Sequence, residues 1–172
     1  MENAPNITSI GFIGGNKYNI DSKSRVCIPP DFLDLLDTKY KSEHRSVVTL
    51  ISLNRSIAVY PIANYLRFLE DIQKKSILDP DMRSLLNMIQ GSSSMQTIDS
   101  QNRLRLSEEL LKHAKISPDD TGSINTSSKA AYVKGFIDHF EIWAVDRWDK
   151  FIENTIEKVD SISKDLSKTL DK

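Results

Sequence analysis

The sequence predicts an α+β protein built from two copies of one structural unit. The stretch 16–33 returns in looser form at 94–111, where Arg103 takes the position of Arg25. In each copy, period-two patterns typical of strands precede a short helical pattern. A self-match at a fixed spacing indicates a duplicated unit. The third observation is an amphipathic pattern at the C-terminal end, which is typical of a long helix.

Two related spacings connect the copies. The motif stretches lie 78 residues apart, whereas the later hairpins and helices match at a spacing of 83, which aligns Tyr60 with Trp143. The five-residue difference falls in the loops, and the conserved order of elements argues against chance similarity. We therefore expect a flexible extension at 1–10, a first unit at 11–91, a second unit at 92–153 and a C-terminal helical extension at 154–172.

The composition limits the possible functions. The chain has 172 residues and a net charge of −1, so a surface that binds a polyanion must concentrate its positive charge on one face. The single cysteine, Cys27, cannot form an internal disulfide, and no Cys/His cluster predicts a zinc site. No signal-peptide pattern and no apolar run of membrane-spanning length is present, so we expect a cytoplasmic protein without membrane contacts.

In the first copy, a short hairpin leads into a helix. Val26 and Ile28 fall on one face of the second strand, with Arg25 and Cys27 on the other. Prolines then end the strand, and Pro30 suits the first turn of a helix. The later elements are predicted as strands at 47–53 and 57–60 and helices at 61–75 and 80–90. Gly91 is predicted to end the last helix in a left-handed conformation.

The second copy repeats this order. It is predicted as strands at 95–98 and 104–106, a helix at 108–113, a polar loop at 117–130 and strands at 131–137 and 140–145. Asp138 and His139 are expected in the last hairpin turn. Asp146 is expected to cap a final helix of about 24 residues. The apolar stripe of this helix either packs on its own domain or continues onto a neighbouring subunit, and the sequence leaves both possibilities open.

Both motif turns carry cations at the tip of a short hairpin, which is the right size to enter a DNA major groove. Arginine suits this role because its planar fork pairs with a guanine edge or a phosphate, whereas lysine mostly contacts the backbone. The candidate DNA-binding residues are Lys17, Lys23, Arg25, Arg103 and Arg105. Asp21 and Asp99 are expected to cap their own turns. For the two motif arginines, a local salt bridge and a DNA contact both remain open.

The combined pattern resembles the MraZ family over residues 12 to about 153. The resemblance rests on Phe12, Gly14, Asp21-Ser22-Lys23, Arg25, Pro29, Asp99, Arg103 and the stretch 139–143. It implies a swapped-hairpin fold related to AbrB, with two pseudo-symmetric units forming a small β-barrel with flanking helices. It further implies a bacterial transcriptional regulator of the division and cell-wall gene cluster, located at the nucleoid. Such proteins assemble as rings whose motif loops contact direct repeats in promoter DNA, here through Arg25 and Arg103 with Lys23 assisting.

The chain departs from the family pattern at three positions. Ser24 and Asn102 replace the motif glycine, and Gln101 replaces the lysine of the second copy. A glycine at a hairpin tip usually has positive φ, which asparagine tolerates well and serine accepts at a cost of roughly 1 kcal/mol. These departures predict reshaped turns and relaxed or altered DNA specificity. They also motivate an alternative function, an oligomeric scaffold that has lost DNA binding.

Catalysis is not expected. His44, His113 and His139 are scattered along the chain, and no serine elbow, phosphate-binding loop or metal-ligand spacing accompanies them. Asp138 and Glu141 lie near His139, but turn chemistry and strand alternation account for them. We therefore expect no cofactor, no metal and no small-molecule substrate, and predict double-stranded DNA and further copies of this chain as the partners.

Overall fold

Most of the chain is described by the computed structural model, which covers residues 10–77, 79–116 and 129–170. Residues 1–9 of the expected N-terminal extension and residues 117–128 of the expected polar loop lie outside these ranges. Five helices occur within them: α1 (Pro30–Thr38), α2 (Ile62–Ser76), α3 (Pro80–Ser92), α4 (Glu108–Ala114) and α5 (Val145–Leu170). A short 3-10 turn at Glu43–Arg45 precedes the third strand.

Eight strands within the described ranges form one antiparallel sheet. They are β1 (Lys17–Ile20), β2 (Arg25–Cys27), β3 (Ser46–Ile51), β4 (Ile57–Pro61), β5 (Ser94–Thr97), β6 (Arg103–Arg105), β7 (Lys129–Gly135) and β8 (Phe140–Ala144). Their order is β5-β3-β4-β8-β7-β1-β2-β6. The two end strands, β5 and β6, meet across the second motif turn, so the sheet is a nearly closed barrel.

Each motif hairpin joins the strands of the other repeat. Strand β1 of the first repeat pairs with β7 of the second, and β5 of the second pairs with β3 of the first. This exchange confirms the swapped-hairpin fold. Two further pairings join equivalent strands: Val26 lies opposite Leu104 and Ala58 lies opposite Glu141. These partners are separated by 78 and 83 residues, the two repeat spacings, so both pairs lie on the pseudo-twofold axis that relates the repeats.

Two apolar clusters hold the barrel and its helices together. Alternate side chains of the strands, including Val26 and Leu104, fill the barrel interior with α1 and α4. A second cluster lies between the outer face of β3 and β4 and the helix pair α2–α3. On the outer face of β8, Trp143 packs against Trp148 of α5 at 5.4 Å and against Phe151 at 5.1 Å between ring centroids. The predicted barrel core with flanking helices is therefore confirmed.

Two helix ends differ from prediction. Gly91 lies inside α3, which continues to Ser92 and is followed by Ser93 as its cap. The hydroxyls of both serines donate to the Ile89 carbonyl, at 3.1 and 2.7 Å. These side chains therefore serve a carbonyl at the helix end, a task that backbone N–H groups perform when a left-handed glycine ends the helix. Helix α5 begins at Val145, so Asp146 lies in its first turn, where its charge still favours the helix dipole. Across the described ranges, no helix has the length and apolarity needed to span a bilayer.

Candidate nucleic-acid interface

The first motif turn is built around the carboxylate of Asp21. Its Oδ1 accepts hydrogen bonds from the backbone N–H groups of Lys23 and Arg25, at 2.9 and 3.0 Å. The backbone closes the turn as well, because the Ser24 N–H donates to the Asp21 carbonyl at 2.9 Å. Asp21 therefore caps its own turn, as the sequence predicts.

The second motif turn has the same construction. Asp99 Oδ1 accepts from the backbone N–H groups of Gln101 and Arg103, both at 2.9 Å. Asn102 donates its N–H to the Asp99 carbonyl at 2.9 Å. Both turns therefore keep one geometry despite their different sequences.

The motif-glycine positions have the backbone conformation that glycine favours. The φ angle is +58° at Ser24 and +62° at Asn102. The expected positive φ is confirmed, but the expected reshaping of the turns is wrong. The aspartate hydrogen bonds impose the same turn in both copies, so the substitution is accommodated as local strain at Ser24 and costs little at Asn102.

The motif arginines are held by the same aspartates. Arg25 donates from Nε to Asp21 Oδ2 at 2.8 Å, and its Nη2 lies 2.7 Å from the same oxygen. Arg103 repeats this with Asp99 Oδ2, at 3.0 Å from Nε and 2.9 Å from Nη2. Each remaining Nη1 faces the aspartate of the other repeat, at 3.7 Å for Arg25 and 3.8 Å for Arg103. We call these four residues the Asp–Arg cluster.

The charges of the Asp–Arg cluster stabilise one another. The hydrogen bond from the Arg25 side chain lowers the pKa of Asp21 to about 2. Desolvation opposes ionisation of Asp99, but hydrogen bonds from Arg103 and Gln101 outweigh it and lower the pKa of that carboxyl. The hydrogen bond to Asp21 raises the pKa of Arg25 above its ordinary value. The cluster joins two carboxylates with two guanidinium groups, so as a whole it carries no net charge.

Other cations lie beside this neutral cluster. Lys23 and Arg105 are exposed, and neither side chain makes an ion pair or hydrogen bond with any described residue. They line a cleft of about 400 Å³ together with Arg25 and Arg103. Four of the five candidate residues therefore meet at one surface, next to the pseudo-twofold axis. Lys17, the fifth, is also exposed but lies at the far end of β1, opposite Tyr132, and does not line this cleft.

A third arginine reaches the second turn from outside the motif. Arg45 Nη1 donates to Asn102 Oδ1 at 2.7 Å. Its Nε and Nη2 form a two-pronged contact with Asp37, at 3.0 and 2.7 Å. No local pattern in the sequence could have connected Arg45 with Asn102, which lies 57 positions away.

A polar cluster surrounds the half-buried ring of His139, which the sequence placed in the last hairpin turn. His139 lies between Asp138 at 2.7 Å and Glu141 at 3.3 Å, and its ring stacks on Tyr60 at 4.3 Å. Burial disfavours the protonated ring, but the two carboxylates outweigh it and raise the pKa of His139. The second oxygen of Glu141 accepts from the Ser56 hydroxyl at 2.8 Å, so this cluster ties β8 to the β3–β4 turn.

The fold and the paired turns define a class of protein: a duplicated, AbrB-like swapped-hairpin barrel with two motif turns at one surface. The chain belongs to the MraZ family, because the family described as "MraZ protein, putative antitoxin-like" matches residues 12–88 and again residues 88–171. The two matched regions correspond to the two repeats, and membership places the chain in a family of regulators. No curated protein matches the sequence.

Proposed function

We propose that this protein is a DNA-binding transcriptional regulator of the MraZ type. It binds direct repeats in promoter DNA as a ring-shaped homo-oligomer, at the nucleoid, with the division and cell-wall genes as its targets. The observation that carries the proposal is the convergence of both motif turns on one cationic cleft. A surface with Lys23 and Arg105 exposed beside two oriented arginines offers both backbone and base contacts.

The contacts divide the cations into two roles. Lys23 and Arg105 have no partner among the described residues, so they are free to neutralise phosphates, and Lys17 adds charge further along β1. Arg25 and Arg103 each use Nε and Nη2 on their own aspartate, which fixes the plane of the guanidinium. Their Nη1 groups lie beyond hydrogen-bond distance of any aspartate and remain able to donate to a base edge.

Multivalency reconciles DNA binding with the net charge of −1. One protomer presents few unpaired cations, so its contact with a single half-site is weak. Several protomers joined in a ring would engage several direct repeats together, and each further contact would form at a raised effective concentration. The affinity then depends on assembly as well as on the turns.

Helix α5 provides a surface for this assembly. Ile152, Ile156 and Val159 form an exposed apolar stripe beyond the part of α5 that packs on Trp143. In the first repeat, the corresponding helix α2 is covered by α3, whereas no described helix covers α5. We therefore assign this stripe to contact with a neighbouring copy of the chain.

The test is a binding titration of the full chain against a fragment of its own upstream DNA that contains direct repeats. The expected result is a specific complex, with light scattering showing an oligomer before and after DNA is added. A chain that stays monomeric and ignores this DNA would contradict both parts of the proposal.

The second candidate is an oligomeric scaffold without DNA binding. It is favoured by the neutrality of the Asp–Arg cluster and by Gln101, which removes a cation from the second tip. The same titration separates the two functions, because a scaffold would assemble normally and show no preference for the direct repeats.

A further inference from the structure

Asn102 differs from the other polar residues of the two motif turns, because its side chain is oriented by a contact from outside both motif hairpins. Its backbone φ of +62° places the side chain at the tip, where it is exposed. The Arg45 guanidinium donates to Oδ1 at 2.7 Å. Arginine has only donors, so the atom that faces it must be the oxygen of the carboxamide and not its nitrogen.

Arg45 is itself fixed. Asp37 holds its Nε and Nη2 through both carboxylate oxygens, and this geometry leaves Nη1 as the group that reaches Asn102. A two-pronged arginine–carboxylate contact restricts orientation more strongly than a single hydrogen bond. The backbone of Arg45 is held as well, because the N–H of Ile98, the residue after β5, donates to the Arg45 carbonyl at 3.3 Å.

As a consequence, one polar group of the Asn102 side chain remains available to a ligand. Oδ1 faces the Arg45 guanidinium, so the Nδ2 donor is the part of the Asn102 carboxamide that has no hydrogen-bond partner among the described residues. A free asparagine pairs with adenine through its oxygen and nitrogen together. A carboxamide whose oxygen is turned toward Arg45 and whose nitrogen is open instead matches an acceptor edge, such as N7 and O6 of guanine, and is mismatched with the amino group of cytosine.

The first turn lacks this arrangement. Ser24 occupies the position of Asn102, and the repeat equivalent of Asp37 at the spacing of 78 is Lys115, which offers no carboxylate. The two tips of one protomer therefore differ in chemistry although their backbones agree. The two tips would therefore favour different bases in the half-sites that they contact, whereas two glycine tips would not differ in this way.

We propose that Asn102, oriented by Arg45 and Asp37, is a specificity-determining residue that donates a hydrogen bond to an acceptor edge, with guanine preferred, at one position of each DNA repeat. This inference rests on the proposed function and deepens it. Arg45 and Asp37 act as positioning residues, because they determine which atom of the carboxamide is available.

The experiment measures affinity of the full chain for its upstream fragment and for variants in which each base of one repeat is changed in turn. For the unmodified protein, replacing guanine at one position of the repeat is expected to weaken binding about three- to tenfold, because a single neutral hydrogen bond is lost. N102G is expected to bind all bases at that position alike. N102D, which keeps the Arg45 contact and turns the open donor into an acceptor, should shift that position toward cytosine. R45M should shift it toward adenine, because both atoms of the carboxamide become available.

The control is N54G, which removes an exposed asparagine from the β3–β4 turn and should leave the base profile unchanged. Thermal unfolding of each variant checks that it is folded. Identical base profiles for the unmodified protein, N102G and N102D would overturn the inference while leaving DNA binding intact. Failure of the unmodified protein to bind any fragment would instead overturn the proposed function, and the inference with it.

Discussion

Arg25 lies 3.7 Å from Asp99, the aspartate of the other repeat, and Arg103 lies 3.8 Å from Asp21 in the reciprocal contact. Each arginine also pairs closely with the aspartate of its own turn, at 2.7 and 2.9 Å. The two motif turns therefore share one network across the pseudo-twofold axis. The aspartates of this network hold both the turn backbone and the arginine side chains. Replacing an arginine should therefore affect DNA recognition, whereas replacing an aspartate should affect the stability of the turn.

Replacing Arg25 by alanine is expected to abolish specific DNA binding, with a loss of affinity of about tenfold or more. The change removes a base-reading donor and leaves the Asp21 carboxylate unpaired near the phosphates. Anisotropy titrations measure the affinity, and light scattering checks the oligomer. Lys23→Ala is the matched comparison, since it should weaken binding to all sequences alike and leave the base profile intact. If Arg25→Ala dissociates the oligomer, the arginine has a structural role and the assignment is wrong.

Acid should remove the stabilising effect of Asp21. Its pKa of about 2 in the folded protein lies below the ordinary value of 3.8. The contribution is therefore fully present above about pH 4 and disappears as the pH falls towards 2. Asp21→Asn should unfold at lower denaturant than the unmodified protein at pH 6, and the difference should shrink between pH 4 and pH 2. A difference that is constant over this range would show that the carboxylate charge is not what stabilises the turn.

Ser24→Gly should stabilise the protein by about 1 kcal/mol, because a residue with a β-carbon is strained at a φ of +58°. For a chain of this length, such a gain corresponds to a rise in Tm of about 2–4 °C. Ser22→Gly is the matched control, since Ser22 is an exposed serine of the same turn without positive φ, and it should bring no gain. Equal shifts for both variants would show that Ser24 is not strained.

Ile156→Asp should break the oligomer without unfolding the protomer. Ile156 is 56% exposed and lies between Ile152 and Val159 on the apolar stripe of α5, so the substitution costs little within one chain. Light scattering should then show smaller particles with unchanged helix content by circular dichroism. Asn154→Asp adds the same charge to the opposite side of α5 and should leave the oligomer intact. An unchanged oligomer with Ile156→Asp would place the subunit contact elsewhere.

The fold was largely predictable because the repeat is visible in the sequence. The two repeat spacings align Val26 with Leu104 and Ala58 with Glu141. The structure pairs those same residues across the pseudo-twofold axis. Period-two alternation predicted that Val26 and Ile28 share one face of the strand, and both are buried in the barrel, whereas Cys27 on the other face is exposed. The exchange of hairpins between repeats came from the family resemblance, because strand pairing between distant segments leaves no local pattern.

The details of the site were less predictable. The capping aspartates follow from turn chemistry, but the neutralisation of Arg25 and Arg103 by both of them depends on how the two turns are placed in space. The contact of Arg45 with Asn102 joins distant parts of the chain and could not be read from either. His139 was expected only as a turn residue, whereas its ring stacks on Tyr60 and is largely removed from solvent.

The most direct test of the central claim is the salt dependence of binding between the full chain and its upstream direct repeats. If the two turns and their flanking cations neutralise phosphates, the logarithm of the binding constant should fall linearly with the logarithm of salt concentration. Removing Lys23 or Arg105 should reduce that slope by about 1 for each binding turn. Binding of equal strength at low and high salt, or no binding to the repeats at any salt concentration, would contradict the account.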